Sequence, residues 1–191
     1  MNLEYLKSAR TKKIGKKIEF YEEINSTHTY AKENIEKLDD GTVILADKQT
    51  DGKGTKGRKW YTGSGLNIAM TIVLKPSCEL NKISTLTVDI AKIVKYSIKE
   101  LYNYELEIKQ PNDLMLNSKK ISGILTESNS IGNKLNYIIL SMGFNVNECD
   151  FDEETKEIAT SLKREYKKEF KREDIILHII ESLDKYYILN I

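Results

Sequence analysis

The sequence predicts an α+β fold, one mixed and largely antiparallel sheet backed by helices, on three observations. Apolar runs rich in β-branched residues recur over 42–46, 66–74, 121–126 and 135–145. Tight-turn signals at Asn117-Ser118-Lys119 and at Gly132 join consecutive runs into hairpins. The stretches 80–102 and 175–183 instead repeat their apolar residues at helical spacing. The order β-α-β-β-α-β-β-β-β-α-α, with hairpins in place of long crossovers, sets the class.

Each element has its local reason. The first 16 residues are polar and lysine-rich, a short helix or an arm, too short for a helix-turn-helix domain. Residues 17–24 alternate as a strand, and Asn25-Ser26-Thr27 supplies capping groups for a helix reaching about Leu38. Asp39-Asp40-Gly41 turns the chain into the strand over 42–46. After Pro76, one face of a helix over 80–102 carries Ile83, Leu86, Ile90, Ile93, Val94, Ser97 and Leu101. A strand over 105–109 leads to Pro111-Asn112-Asp113, and 114–116 pairs with 121–126 as a hairpin before the strand over 135–145. In the tail, Asp152-Glu153-Glu154 opens a helix and Lys163-Arg164 closes it, as the macrodipole favours. A final helix buries Ile175, Ile176, Ile179, Ile180 and Leu183.

Composition narrows the function. A chain of 191 residues fits one domain with a real core, without repeats or linkers. Thirty basic residues against 29 acidic give a net charge of +1, so there is no global field for nucleic acid, and a basic site must be local. Cys78 and Cys149 make neither a disulfide framework nor a metal cluster and are read as reduced thiols of a cytoplasmic protein. No signal peptide or membrane span is visible. Two histidines, His28 and His178, argue against a histidine-rich zinc site, and His178 reads as a core or boundary residue.

The densest chemistry lies between two strands, in 48–60, KQTDGKGTKGRKW. Gly52, Gly54 and Gly57 stand beside Lys53, Lys56, Arg58, Lys59 and the only tryptophan, Trp60. Glycine lets backbone N–H groups approach a ligand, and fixed cations beside them suit an anion such as phosphate. The G-x-G-x-x-G spacing is not the dinucleotide fingerprint, because a β-branched strand follows where a helix should open. Nor is it a kinase loop, since no His-Arg-Asp or Asp-Phe-Gly follows. Further polar clusters sit at turns: Ser26-Thr27-His28, Gln49, 109–113 with Lys120, and Asn145 with Asn147. Together they offer hydroxyls and an amide for a polar head group, an aromatic face for a base, cations for phosphates and a carboxylate for a hydrated cation. Read from the residues, the chemistry is nucleotidyl or phosphoryl transfer with Mg²⁺.

These motifs resemble those of the biotin protein ligases, the biotin–[acetyl-CoA-carboxylase] ligases, from about Ile18 to Tyr187. The family's G-R-G-R-x-G-R-x-W is similar to Gly52-Lys53-Gly54-Thr55-Lys56-Gly57-Arg58-Lys59-Trp60. Its K-W-P-N-D and K-x-x-G-I-L segments resemble Lys109-Gln110-Pro111-Asn112-Asp113 and Lys120-Ile121-Ser122-Gly123-Ile124-Leu125. Ser26-Thr27-His28 stands for S-T-N, Gly143-Phe144-Asn145 for G-x-N, and Ala159-Thr160-Ser161-Leu162 for the family's late helix. The resemblance implies a catalytic domain of the class II aminoacyl-tRNA-synthetase-like, biotin–lipoate ligase type. It also implies two steps: biotin and ATP give biotinyl-5′-AMP, and a lysine of a biotin carboxyl carrier protein, in acetyl-CoA carboxylase or another biotin-dependent carboxylase, then takes the biotin.

Residue by residue, the resemblance implies biotin binding by Ser26, Thr27, His28, Gln49, Lys53, Gly54, Thr55, Lys120 and Gly123. It implies ATP binding by Gly52, Lys53, Arg58, Trp60, Asn112, Lys120 and Asn145. Lys120, Arg58 and Asp113 are the expected catalytic residues, with Asp113 also expected to hold Mg²⁺. Singly, each has a plainer reading: Ser26 and Thr27 as helix caps, Pro111-Asn112-Asp113 as a turn, Trp60 as core, Lys120 as a solvated lysine.

Four positions depart from the pattern. Thr55 replaces the second loop arginine, Gln110 a tryptophan and His28 an asparagine; Lys53 keeps the charge of the first arginine without its fork. Residues 1–191 are expected to form one catalytic domain, with no preceding DNA-binding domain and no following SH3-like barrel. No nucleic-acid or membrane partner is expected, and a homodimer through a sheet edge is left open. The rival readings are a lipoate or octanoate ligase or transferase, whose Arg-Arg…Gly-Gly-Gly pattern is missing here, and a non-catalytic biotin- or nucleotide-binding relative.

Overall fold

The structure, a computed structural model, describes residues 1–191. Seven strands form one sheet: β1 (Ile18–Ile24), β2 (Val43–Gln49), β3 (Ile68–Leu74), β4 (Glu107–Lys109), β5 (Asp113–Leu116), β6 (Lys119–Ile131) and β7 (Lys134–Phe144). Their order is β1-β2-β3-β7-β6-β5-β4, with β1 and β2 parallel and every other pair antiparallel. The mixed, largely antiparallel sheet read from the sequence is therefore present.

Alternation along the strands divides the sheet into two unlike faces. Leu45, Met70, Ile72, Leu140, Met142 and Phe144 face a core of 32 buried residues that joins the sheet to α3 (Leu86–Tyr102) and α5 (Arg172–Asn190). The opposite face carries a cluster of five, Ala31, Leu38, Ile44, Val73 and Ile139, under the short helix α2 (Thr27–Glu33). The N-terminal residues form one turn of helix, α1 (Leu3–Leu6), and an arm. Buried Asp184 of α5 anchors that arm by accepting the N–H groups of Lys12, Lys13 and Ile14 at 2.7, 2.8 and 2.8 Å.

Three helical expectations are corrected. The helix expected to reach about Leu38 ends at Glu33, and residues Ile35–Lys37 form a separate 3₁₀ turn. The helix over 80–102 starts at Leu86, because residues Leu80–Ile83 form a separate 3₁₀ turn. The helix expected between Asp152 and Arg164 is absent. Residues 153–158 are turns, Ala159 bridges Lys120 of β6, and only α4 (Leu162–Tyr166) is helical, capped by Ser161 Oγ on the Arg164 N–H. Local charge favoured a helix there, but the sheet claims the backbone: Lys120 N–H donates to Ile158 O, and Thr160 N–H to Lys120 O. Beside it, Ser161 Oγ donates to the carbonyl of Glu148.

Candidate active site

On the face under α2, the strand register aligns a row of small residues across the sheet. Ala46 pairs with Ala69, Ala69 with Gly143, Gly143 with Gly123, and Gly123 with Asp113. Side chains this small leave room above the sheet, and the row ends on a carboxylate. Lys120 folds back over its own strand to Asp113, Nζ to Oδ1 2.6 Å, with the two side chains 28% and 19% exposed. Both are shielded enough for the pair to count and open enough to reach a ligand.

The glycine-rich segment folds down onto this row. It is a small hairpin: Trp60 N–H donates to Gly52 O, and Gly54 N–H to Arg58 O, each at 2.8 Å, while Lys53 bridges Lys59. Its tip turns through Lys56 at φ 57° and Gly57 at φ 72°, where glycine relieves one of two left-handed positions. The Trp60 indole lies against Gly143 and Gly123, so closely that a Cβ at Gly143 would fall inside the ring. Lys120 Nζ sits 5.5 Å from the ring centroid, and the buried indole N–H has no partner. This contact brings the hairpin, Lys120 and Asp113 into one place.

At the near end of the row, Gln49 is fixed from both sides. Its Oε1 accepts the Thr27 N–H at 2.9 Å and the Thr27 hydroxyl at 3.1 Å, and its Nε2 donates to Thr62 Oγ1 at 3.2 Å. Gly52 packs against that amide, where a Cβ would come within 2.8 Å of Nε2. Thr27, Gln49, Gly52, Trp60, Gly123, Lys120 and Asp113 thus line one surface.

Other expected residues are placed differently. Ser26 is buried and caps α2, its Oγ accepting the Thr29 N–H at 3.3 Å. Lys53, Gly54, Thr55 and Arg58 belong to the outer hairpin, with Lys53 paired to Asp51. Arg58 folds back onto Thr55, Nη2 donating to Oγ1 at 3.1 Å, so the threonine holds the arginine across the tip. Asn112 and Asn145 spend their side-chain N–H groups on the carbonyls of Ile124 and Thr160, at 3.1 Å each. They frame the site by clamping strands and the 158–162 segment. His28 is buried against the sheet, Nδ1 2.8 Å from Ser141 Oγ, and burial pushes its imidazole below the ordinary value against the raising effect of Glu127. The sequence reading missed Thr71 and Ser141, which nothing but strand pairing makes neighbours.

No group of three or more His, Cys, Asp or Glu side chains converges to hold a metal. Asp113, paired with Lys120, is a single carboxylate, fewer protein ligands than a resident cation needs, so a Mg²⁺ there would have to take its remaining ligands from water or a bound anion. Two surface clefts, about 200 Å³ at Pro76–Glu79 and about 290 Å³ between Arg10 and Leu189, contain none of the expected residues. The indole lies between hairpin and sheet, against the Gly143–Gly123 row.

Comparison with known proteins places this sheet, with its glycine hairpin and lysine–aspartate pair, in the class of biotin and lipoate ligase catalytic domains. The sequence profile of the biotin/lipoate A/B protein ligase family matches residues 20–145, and the chain belongs to that family. The bifunctional ligase/repressor BirA of Bacillus subtilis is 34% identical over 181 residues, 93% of this chain and 56% of that protein. A biotin–[acetyl-CoA-carboxylase] ligase of Paracoccus denitrificans is 32% identical over 125 residues, 64% of this chain and 51% of its own. A biotin protein ligase from Aquifex aeolicus, solved with biotin and ATP, superposes with a TM-score of 0.76 at 28% identity, covering 91% of this chain and 71% of that one. The chain spans about half the length of these curated relatives. No helix is long and apolar enough to cross a membrane.

Proposed function

We propose that residues 1–191 form the catalytic domain of an ATP-dependent biotin protein ligase of the biotin–[acetyl-CoA-carboxylase] type. The observation that carries this reading is the Trp60 hairpin lying on the Gly143–Gly123 row against the Lys120–Asp113 pair. In the first step a carboxylate oxygen of biotin attacks the α-phosphorus of ATP; the bond to the β-phosphate breaks, pyrophosphate leaves and biotinyl-5′-AMP forms. In the second, the amine of a carrier-protein lysine attacks the acyl carbon, AMP leaves and an amide remains.

Thr27 and Gln49 meet the ureido ring, because an unpaired buried polar group costs about 1–3 kcal/mol. Ser26 holds Thr27 by capping its helix, and His28 acts from behind. Lys120 draws carboxylate and α-phosphate together and stabilises the charge that develops between them. Arg58 and Lys53 offset the triphosphate, with Gly52 and Gly54 giving the backbone approach and Thr55 setting the hairpin tip. Trp60 offers a face on which adenine stacks, worth roughly 1–3 kcal/mol. Asp113, between the Asn112 and Asn145 clamps, is the carboxylate for nucleotide-borne Mg²⁺ or for the incoming amine. Mg²⁺, when bound, neutralises phosphate charge.

The partners on this reading are biotin, ATP and a biotin carboxyl carrier protein, in the cytoplasm, where two unpaired cysteines stay reduced. The outer strands β1 and β4 are the edges through which two copies could pair. A lipoate-specific activity is less well supported: LipL1 of P. falciparum, solved with lipoate, has the fold at a TM-score of 0.59 and 12% identity, covering 92% of this chain and 63% of its own. Exchange of labelled pyrophosphate into ATP tests the proposal. Exchange dependent on biotin is expected; exchange with lipoate or octanoate alone, or with none of the three, would overturn it.

A further inference from the structure

Behind Thr27 a single row of hydrogen-bonding groups crosses the sheet. Gln49 Oε1 meets Thr27 Oγ1 at 3.1 Å, and Thr27 Oγ1 meets Thr71 Oγ1 at 2.8 Å. Thr71 meets Ser141 at 2.8 Å, and Ser141 meets His28 Nδ1 at 2.8 Å. His28 Nε2, buried and without an aligned hydrogen-bond partner, stands 3.2 Å from Glu127 Oε1. The row draws on β2, α2, β3, β7 and β6, and it is buried at Thr27, Thr71, Ser141 and His28.

Counting protons gives the row a direction. Gln49 Oε1 can only accept, and Thr71 donates to Thr27 while Thr27 donates to Gln49. Carried back to the ring, that order needs Ser141 to donate to Thr71 and Nδ1–H to donate to Ser141. A neutral ring protonated on Nδ1 then turns a bare Nε2 lone pair toward the Glu127 carboxylate. The other neutral tautomer takes the Ser141 proton instead, and the row must lose one bond or reverse. The imidazolium alone keeps all four hydrogen bonds of the row and sets a positive charge against Glu127. We infer that His28 and Glu127 are a positioning pair whose proton keeps Thr71 donating to Thr27, so that the single Thr27 O–H stays a donor, to Gln49 here and to an acceptor oxygen of the ligand when one binds.

The inference rests on the proposal that Thr27 faces biotin, whose ureido oxygen is such an acceptor. When that oxygen arrives, Thr27 can turn its hydroxyl to it, and Gln49 Oε1 keeps the Thr27 N–H at 2.9 Å. The charged and titratable groups around the ring are Glu127 from β6, Lys32 from α2 and, beside Lys32, Tyr137 from β7. Lys32, 2.8 Å from Glu127, holds that carboxyl below its usual range, so the anion persists while the imidazole titrates. Burial pushes the His28 value down, and a ligand that prefers the imidazolium pulls it up. Affinity is therefore greatest at low pH and is lost as pH rises through the histidine.

The test is calorimetric titration of the whole chain with biotin from about pH 5.5 to about pH 8. Wild-type affinity should weaken by roughly fivefold over that range, the worth of one hydrogen bond. His28→Asn should bind with a flat profile, and so should Ser141→Ala, which keeps the ring and Glu127 but cuts the row. A flat wild-type profile would overturn the inference while leaving the ligase reading intact. A Ser141→Ala protein with the full wild-type slope would overturn it too, since the imidazole would then act through space. Absence of biotin binding at every pH would sink the ligase reading as well.

Discussion

The two faces of the sheet are made by the same strands and do opposite work. On β7, Leu140, Met142 and Phe144 enter the core of 32 residues, while the interleaved Ser141 and Gly143 meet hydroxyls and an indole. One face is filled to exclude everything. The other is apolar under α2, at Ile44, Val73 and Ile139, and small or polar along Ala46, Ala69, Ser141, Gly143 and Gly123, where a loop and a ligand can lie on it. Period-two alternation lets a single strand carry stability and chemistry without compromise between them.

The contrast is sharpest between substitutions on opposite faces. Phe144→Ala should cost about 3–5 kcal/mol in denaturant melts, as for other fully buried aromatics, yet leave biotin affinity of the folded fraction near wild type. Lys120→Ala should do the reverse, lowering biotin-dependent pyrophosphate exchange by about 10²–10³-fold, the scale of losing one charge-stabilising group, with little change in the melt. Equal stability losses in the two variants would break the division of faces. Gly143→Ala lies between: its methyl collides with Trp60, so a cost of about 1–3 kcal/mol is expected together with a red shift of tryptophan emission as the ring leaves the sheet. The smallest effect should come from Thr55→Arg. It removes one of the two bonds that fold Arg58 onto the hairpin tip, leaving Nε on the residue-55 carbonyl, and adds a second cation, so biotinyl-AMP should be retained about five- to tenfold longer, worth about 1–1.4 kcal/mol. Equal retention would remove Thr55 from the account.

Much of this was legible in the chain. Alternation and turn residues gave the strands, and the ordered motifs at Gly52–Trp60, 109–113 and 120–125 pointed to residues that meet in space. What was hidden depends on pairing between distant segments. Ala159 leaves the expected helix because it bridges Lys120, 39 positions earlier, and no local charge pattern reports that. Thr71 and Ser141 read as ordinary strand residues until the β3–β7 register sets them opposite one another. The plain reading of Ser26 as a helix cap is realised, and the amides of Asn112 and Asn145 are spent on clamping backbone.

The protein has one tryptophan, and it lies on the floor of the proposed site. Its emission, followed through stepwise addition of biotin and then ATP, is the most direct measurement of the central claim. A saturable change with biotin and a second, distinct change with ATP accompanied by pyrophosphate release are predicted. Unchanged emission from a protein that calorimetry shows to be loaded with biotin would mean that the ligand lies elsewhere, and would contradict the account.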